Sequence, residues 1–148
     1  MILLVTKKRT RVFCPGEYDL KVKRSSAGLG LFTNSPIKKG ACVIEYVGPV
    51  VPKEKWDSHM GKYLFEVSKK KVIDGADRKN TARYINHSCK GNCEIRIFKE
   101  RVYIMAKRNI KPGEELGYDY DKEYFDAYIK PFGCKCASCL AKETKKKA

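Results

Sequence analysis

Apolar positions along this chain come in short runs, not in long helical stripes. Leu20-Lys21-Val22 alternates apolar and polar, and Leu31-Phe32 follows a glycine-rich turn. Residues 41–47, 63–67, 94–98 and 102–106 are short apolar or alternating stretches. A period of two over four to eight residues predicts strands with one buried face. Lys39-Gly40, Asp74-Gly75, Lys99-Glu100 and Pro112-Gly113 punctuate the runs as turns. Helical patterns are few: residues 53–60, 78–84 and 121–129. The last opens on acidic residues and sets Tyr124, Phe125, Tyr128 and Ile129 at helical spacing. The expectation is a mostly β domain (minor α+β content) of several small sheets with short helices. There is also an internal echo. Ile37-Lys38-Lys39-Gly40 leads into a strand ending at Tyr46, and Ile110-Lys111-Pro112-Gly113 leads towards Tyr118 and Tyr120. By sequence alone this is either two ordinary turn-and-strand units or a real correspondence.

Composition narrows the class. The chain has 148 residues, enough for one domain with a sizeable core, and its 43% apolar and 33% charged content is that of a globular protein. Residues 1–5 are apolar, but Lys7, Lys8, Arg9 and Arg11 follow them, whereas a secretory signal places charge first. No run approaches the roughly twenty apolar residues that span a bilayer. The expectation is therefore an intracellular protein with no membrane partner, in the cytoplasm or with chromatin in the nucleus. A net charge of +15 points to an acidic partner, nucleic acid or acidic protein. The lysine-rich residues 142–148 read as a solvated, disordered tail.

Three stretches carry chemistry. Gly28-Leu29-Gly30 sits between strand-like segments, most simply as a turn whose glycines permit positive φ. Thr33 stands where a dinucleotide-binding turn would need a third glycine, and no βαβ pattern surrounds it. Asn86-His87-Ser88-Cys89 places an amide, an imidazole, a hydroxyl and a thiol side by side, which cannot all face one core. Cys134-Lys135-Cys136-Ala137-Ser138-Cys139 supplies three thiols within six residues, one short of a tetrahedral zinc site. Spacing leaves the fourth open among Cys14, Cys42, Cys89 and Cys93, with Cys42, in a strand, reading as core. Seven cysteines without an export signal favour metal or free thiols over disulfides. His59 has no partner signal and reads as a surface residue.

Arg83 to Cys89, Glu115-Leu116-Gly117-Tyr118-Asp119-Tyr120 and the terminal cysteines together resemble the SET-domain protein-lysine methyltransferases that carry a short post-SET zinc segment. The likeness spans about residues 18–140, with four separated motifs in order, the turn at Gly28-Leu29-Gly30 being the first. It departs at Tyr84, Gly117 and Tyr118, where the family has Phe, Thr and Phe. It departs also at Lys90-Gly91, where an acidic residue and Pro are usual, and in the two-residue gap before Cys139. The resemblance implies residues 1–130 as the SET domain, 131–141 as the post-SET cysteine segment and 142–148 as a basic tail. It implies S-adenosyl-L-methionine as cofactor, held by Gly28, Leu29, Gly30, Tyr63, Arg83, Asn86 and His87. Structural Zn²⁺ would be held by Cys89, Cys134, Cys136 and Cys139. Tyr120 falls at the catalytic position, with Tyr46 and Tyr118 in the substrate-lysine channel. Tyr118 stands where the number of added methyl groups is influenced, which implies a mono- or dimethylating enzyme acting on a histone or another protein. The competing class is a basic, zinc-stabilised nucleic-acid-binding module without catalysis, its tyrosines serving to stack bases. That reading accounts for charge and cysteines and leaves Asn86-His87-Ser88 unexplained.

Overall fold

Short alternating runs cannot bury themselves, so each depends on a neighbour, and here they assemble as many small sheets. The computed structural model describes residues 13–58, 63–120, 122 and 125–147. In chain order the strands are β1 (Leu20–Ser25), β2 (Gly28–Thr33), β3 (Cys42–Tyr46), β4 (Val50–Pro52), β5 (Leu64–Glu66), β6 (Lys71–Asp74), β7 (Asn86–His87), β8 (Cys93–Phe98), β9 (Arg101–Ala106) and β10 (Gly117–Tyr118), followed by helix α1 (Ala137–Lys147). They form a β1-β2 hairpin, a β3-β9-β8 sheet and a β4-β6-β5 sheet, all antiparallel, and a parallel β7-β10 pair. The central strand β9 is buried on both faces, from Val102 to Ala106. Ile104 packs into the main core with Leu31, Ile37, Val43, Ile85, Ile110 and Leu116. Tyr103 and Met105 face the other way, against Cys42 and Phe13.

The internal echo is a structural correspondence. Ile37 and Ile110 exchange both backbone hydrogen bonds, N–H to O at 2.9 and 2.7 Å. The contacts around them repeat with an offset of 73 residues. Gly40 N–H donates to Ala106 O (2.8 Å) and Gly113 N–H to Thr33 O (2.6 Å). Ala106 N–H donates to Ala41 O (2.8 Å) and Thr33 N–H to Glu114 O (3.1 Å). Gly40 and Gly113 take φ of +87° and +94°, a conformation open to glycine at little cost. The two units are thus related by a local two-fold that crosses the core.

Several elements differ from the sequence reading. Strands β4, β6, β7 and β10, two to four residues long, exist only through their partners and carry no periodic signal of their own. The helix expected over 53–60 is a 3₁₀ segment, Lys53–Ser58, and that over 78–84 is one 3₁₀ turn, Thr81–Tyr84. Within 121–129 the structure has a π-helical turn at Phe125–Ile129, while Asp121 and Tyr124 lie outside the described residues, as does His59. The tail is a correction. Residues 142–147, expected to be disordered, continue α1, whose first turn contains Cys139 and closes with Leu140 N–H to Cys136 O (3.0 Å). Anchoring that first turn removes the nucleation cost that a short lysine-rich helix would otherwise face. Among the described residues no helix is long and apolar enough to cross a membrane.

Candidate functional site

A cleft of about 2120 Å³ runs between the β1-β2 hairpin, the β4-β6-β5 sheet, the β7-β10 pair and the cysteine segment. Of the residues singled out from sequence, Gly28, Leu29, Tyr46, Tyr63, Arg83, Asn86, His87, Tyr118, Tyr120, Cys134 and Cys136 line it. Gly30 does not. It is buried behind the wall, where an added Cβ would lie 2.2 Å from a Glu115 carboxylate oxygen. Its missing side chain makes room for Glu115, which meets the Asn86 side-chain amide at 3.1 Å. That amide also donates to Leu29 O (2.8 Å) and Ser25 Oγ (3.2 Å), so it ties β7 to the hairpin.

Three phenols converge from two segments, β3 and the stretch from β10 to residue 120. Tyr46, at the end of β3, is buried and donates its hydroxyl to Tyr63 O (2.7 Å). Its ring packs on Phe65 and against Gly75, where a Cβ would fall 2.3 Å from the ring. Tyr118 on β10 is buried and stands 4.9 Å from the Tyr120 ring, centroid to centroid. The Tyr120 hydroxyl donates to the Ile85 carbonyl. A cavity walled by phenol faces, with hydroxyls fixed on backbone, suits an alkyl chain carrying a cationic or amine head.

His87 is buried and fully engaged inside the protein. Its Nδ1 accepts the Tyr120 backbone N–H (3.0 Å), so in the neutral ring Nε2 carries the proton and faces Cys89 Sγ (3.2 Å). Burial pulls its pKa below the ordinary value, against the opposing effect of Asp119, 3.6 Å away. The ring thereby spans from the cysteine cluster to the backbone of Tyr120. Arg83 lies 4.2 Å over the Tyr63 ring, donates to Ala76 O (2.6 Å), and keeps a buried Nε with no hydrogen-bond partner. A buried guanidinium nitrogen at a cleft wall fits an acceptor brought by a ligand, such as a carboxylate.

The four cysteines meet. Sγ atoms of Cys89, Cys134, Cys136 and Cys139 all lie within 4.8 Å of one another, with Cys89 at 3.9 Å from Cys134 and 3.6 Å from Cys139. A tetrahedral zinc with Zn–S of about 2.3 Å sets its ligands about 3.8 Å apart, so this group could hold such an ion. Burial, then hydrogen bonds among the thiols, push Cys89 well above the thiol range, and burial pushes Cys134 up to about 11. Burial also opposes ionisation of Cys136, but the Ser138 hydroxyl and the backbone of Cys89 and Cys139 outweigh it and bring Cys136 down to about 6. Of the other candidates, Cys42 and Cys93 are buried in strands and Cys14 is exposed, all outside the cluster. Ser26 Oγ donates to Lys135 O (2.7 Å), which fastens the hairpin turn to the cysteine segment across the cleft.

Sequence reading missed the residues that hold this arrangement. Asn80, almost fully buried, accepts from Val47 N–H (3.0 Å) and donates to Gly75 O (3.1 Å). Asn92, also buried, donates to Glu115 O (2.9 Å) and accepts from Gly117 N–H (3.0 Å), locking β10 in place. Gly75, Ser26 and Glu115 complete the set. A lone polar residue such as Asn80 has no period and no spacing partner, whereas Asn92 adjoins the cysteine loop, Gly75 lies in the turn at Asp74-Gly75 and Glu115 opens the motif that ends at Tyr120.

A model of the SET domain family matches residues 28–121. The chain is 37% identical over 125 residues to histone-lysine N-methyltransferase trr of Drosophila melanogaster, covering 76% of this chain and 5% of that protein. It is 33% identical over 126 residues to the H3 lysine-36 specific histone-lysine N-methyltransferase of Schizosaccharomyces pombe, covering 76% and 16%. To histone-lysine N-methyltransferase ASHH3 of Arabidopsis thaliana it is 32% identical over 131 residues, covering 77% and 36%. The chain thus spans only a minor part of the length of these relatives.

Proposed function

The chain belongs to the SET-domain family, and on that premise we propose that it is a protein-lysine N-methyltransferase dependent on S-adenosyl-L-methionine, with a structural zinc in a post-SET segment and a histone or another protein as substrate. The observation that carries this reading is the convergence of Tyr46, Tyr118 and Tyr120 on one cleft also walled by Asn86, His87 and the cysteine segment. We assign residues 1–130 to the SET domain and 131–141 to the cysteine segment, with 142–148 beyond it.

When bound, S-adenosyl-L-methionine supplies an electrophilic methyl group on a sulfonium. We assign Gly28, Leu29, Tyr63, Arg83, Asn86 and His87 to hold it, because all six line the cleft and the Arg83 Nε is buried with no hydrogen-bond partner. Gly30 acts from behind by admitting Glu115. A lysine side chain in water loses its proton near pH 10.4, so about four in ten thousand are neutral at pH 7. Desolvation in the cleft, with the like charge of the sulfonium when the cofactor is bound, would disfavour the ammonium and shift that balance towards the amine. No general base is needed from His87, whose two nitrogens are turned to Tyr120 and Cys89. Tyr120, held through its hydroxyl by Ile85 and through its amide by His87, orients the amine and excludes water. Tyr118, crowded against Tyr120, restricts the product to mono- or dimethyl-lysine. Zinc would fix the far wall through Cys89, Cys134, Cys136 and Cys139.

The test is turnover of a lysine peptide by wild type and Tyr120→Phe, with products read by mass spectrometry. Wild type should yield mono- and dimethyl-lysine. The variant should lose about a hundredfold or more in kcat with cofactor affinity unchanged, since the phenol acts in the transition state. Turnover within a few-fold of wild type would overturn the role of Tyr120. Trimethyl-lysine as main product would overturn that of Tyr118. Absence of any transfer by the folded, metal-loaded wild type would favour a binding module.

A further inference from the structure

The two turns that pair across the local two-fold do more than close the core, because they gather part of the chain's unbalanced positive charge on one surface. Pairing of Ile37 with Ile110 sets residues 38–40 beside 106–109, with Lys39 N–H on Asn109 Oδ1 (2.9 Å) and Gly40 N–H on Ala106 O (2.8 Å). Lys38, Lys39, Lys107, Arg108 and Lys111 are thereby gathered on this end, all exposed. The acid among them is Glu114, and it is already used: Arg108 grips it bidentately (2.8 and 3.2 Å) and the Lys111 backbone N–H donates to it at 2.6 Å. Lys38, Lys39, Lys107 and Lys111 have no carboxylate within salt-bridge distance among the described residues. Like charges crowded on a rigid pair of turns repel one another, at a cost that nothing in the fold requires. None of these residues lines the cleft.

We propose that this basic end is a docking surface for the phosphate backbone of a nucleic acid, separate from the methyl-transfer cleft. The chemistry selects the phosphate backbone over bases. Lysine ammonium groups are point charges without the fork that reads base edges, and among the described residues the patch carries no aromatic ring on which a base could stack. Binding is therefore sequence-independent and driven by counterion release, so it falls steeply with salt. Its use is to hold the enzyme on a nucleic-acid-bound protein while the cleft stays free for that protein's lysine.

Fluorescence anisotropy of a labelled random-sequence DNA duplex of about 25 base pairs tests this, with wild type and the quadruple variant Lys38→Gln, Lys39→Gln, Lys107→Gln, Lys111→Gln. A second variant, Lys145→Gln, Lys146→Gln, Lys147→Gln, controls for the lysine-rich helix α1. The patch variant should bind about a hundredfold more weakly near physiological salt. Its log K against log salt slope should shrink by about 3 to 4, since each lost phosphate contact removes roughly 0.9. Circular dichroism and peptide methylation should stay at wild-type values, which separates this proposal from the reading of the cleft. Equal loss in the α1 variant with an intact patch, or unchanged duplex affinity in the patch variant, would overturn the assignment. So would competition by polyglutamate as effective as by unlabelled duplex at equal charge, which would mark an acidic protein as partner.

Discussion

Single side chains fix this site through backbone more than through each other. The Tyr46 and Tyr120 hydroxyls both end on carbonyls, and His87 reaches the Tyr120 amide. Asn80 shows how such a position is paid for in polar bonds. Its side chain satisfies one N–H after β3 and one C=O at Gly75, the residue against which Tyr46 packs. Asn80→Ala leaves the buried Gly75 C=O unsatisfied, at a cost of about 1–3 kcal/mol, and strips the part-buried Val47 N–H of its partner. Urea unfolding of that variant should show a loss of about 2–4 kcal/mol, together with reduced peptide turnover because the Tyr46 wall loses its support. A loss below about 0.5 kcal/mol would mean that water replaces the amide. The cysteines were legible in the sequence because thiols at close spacing have few other uses, and the tyrosines because the flanking motifs placed them. Asn80 and Gly75 were not, because their significance is a tertiary contact.

Elements in this fold take their form from their neighbours. Strand β8 was legible from alternation and β9 from its continuous apolar run, whereas β7 and β10 are two residues each and exist because Asn92 and Gly91 press the cysteine loop onto Gly117. The β8-β9 turn is the converse case, where local sequence opposes the fold. Lys99 and Glu100 both adopt positive φ, 51° and 60°, as a type I′ hairpin turn demands, and neither suits it. Lys99→Asn with Glu100→Gly should raise stability by about 0.5–1 kcal/mol, visible as a higher Tm by calorimetry. The exposed Lys71–Glu100 ion pair lost in the exchange is worth little. At the turn 111–114, Arg108 above all, with help from the Lys111 amide, holds the Glu114 carboxyl below its ordinary 4.5. A depressed folded value means that this contribution is present above about pH 4.5 and is lost as pH falls below it. The stability gap between wild type and Glu114→Gln should accordingly narrow in that acid range, as read by urea unfolding at pH 6 and pH 3. A gap independent of pH would show that the pair contributes no linkage.

At the scale of the whole molecule, the cysteine cluster joins two distant segments and closes one wall of the cleft. Cys89 belongs to the loop after β7 and the other three to the C-terminal segment, which also meets the hairpin through Ser26 and Lys135. Metal analysis should find one zinc per chain. Chelation should then weaken S-adenosyl-L-methionine binding by at least about tenfold by titration calorimetry and raise proteolysis beyond residue 130, with the β-sheet circular dichroism retained. Full cofactor affinity in Cys136→Ser would break that link.

The Ile37–Ile110 pairing has a consequence for how the chain is made. Contacts that hold one turn unit are supplied by its counterpart 73 residues later, so neither unit can close on local sequence. At a synthesis rate of about 5–20 residues per second, Leu31, Ile37 and Val43 leave the ribosome roughly 4–15 s before the residues that cover them. For that interval the nascent chain carries a sticky half-core, and its fate depends on what shields those three side chains until the second unit arrives.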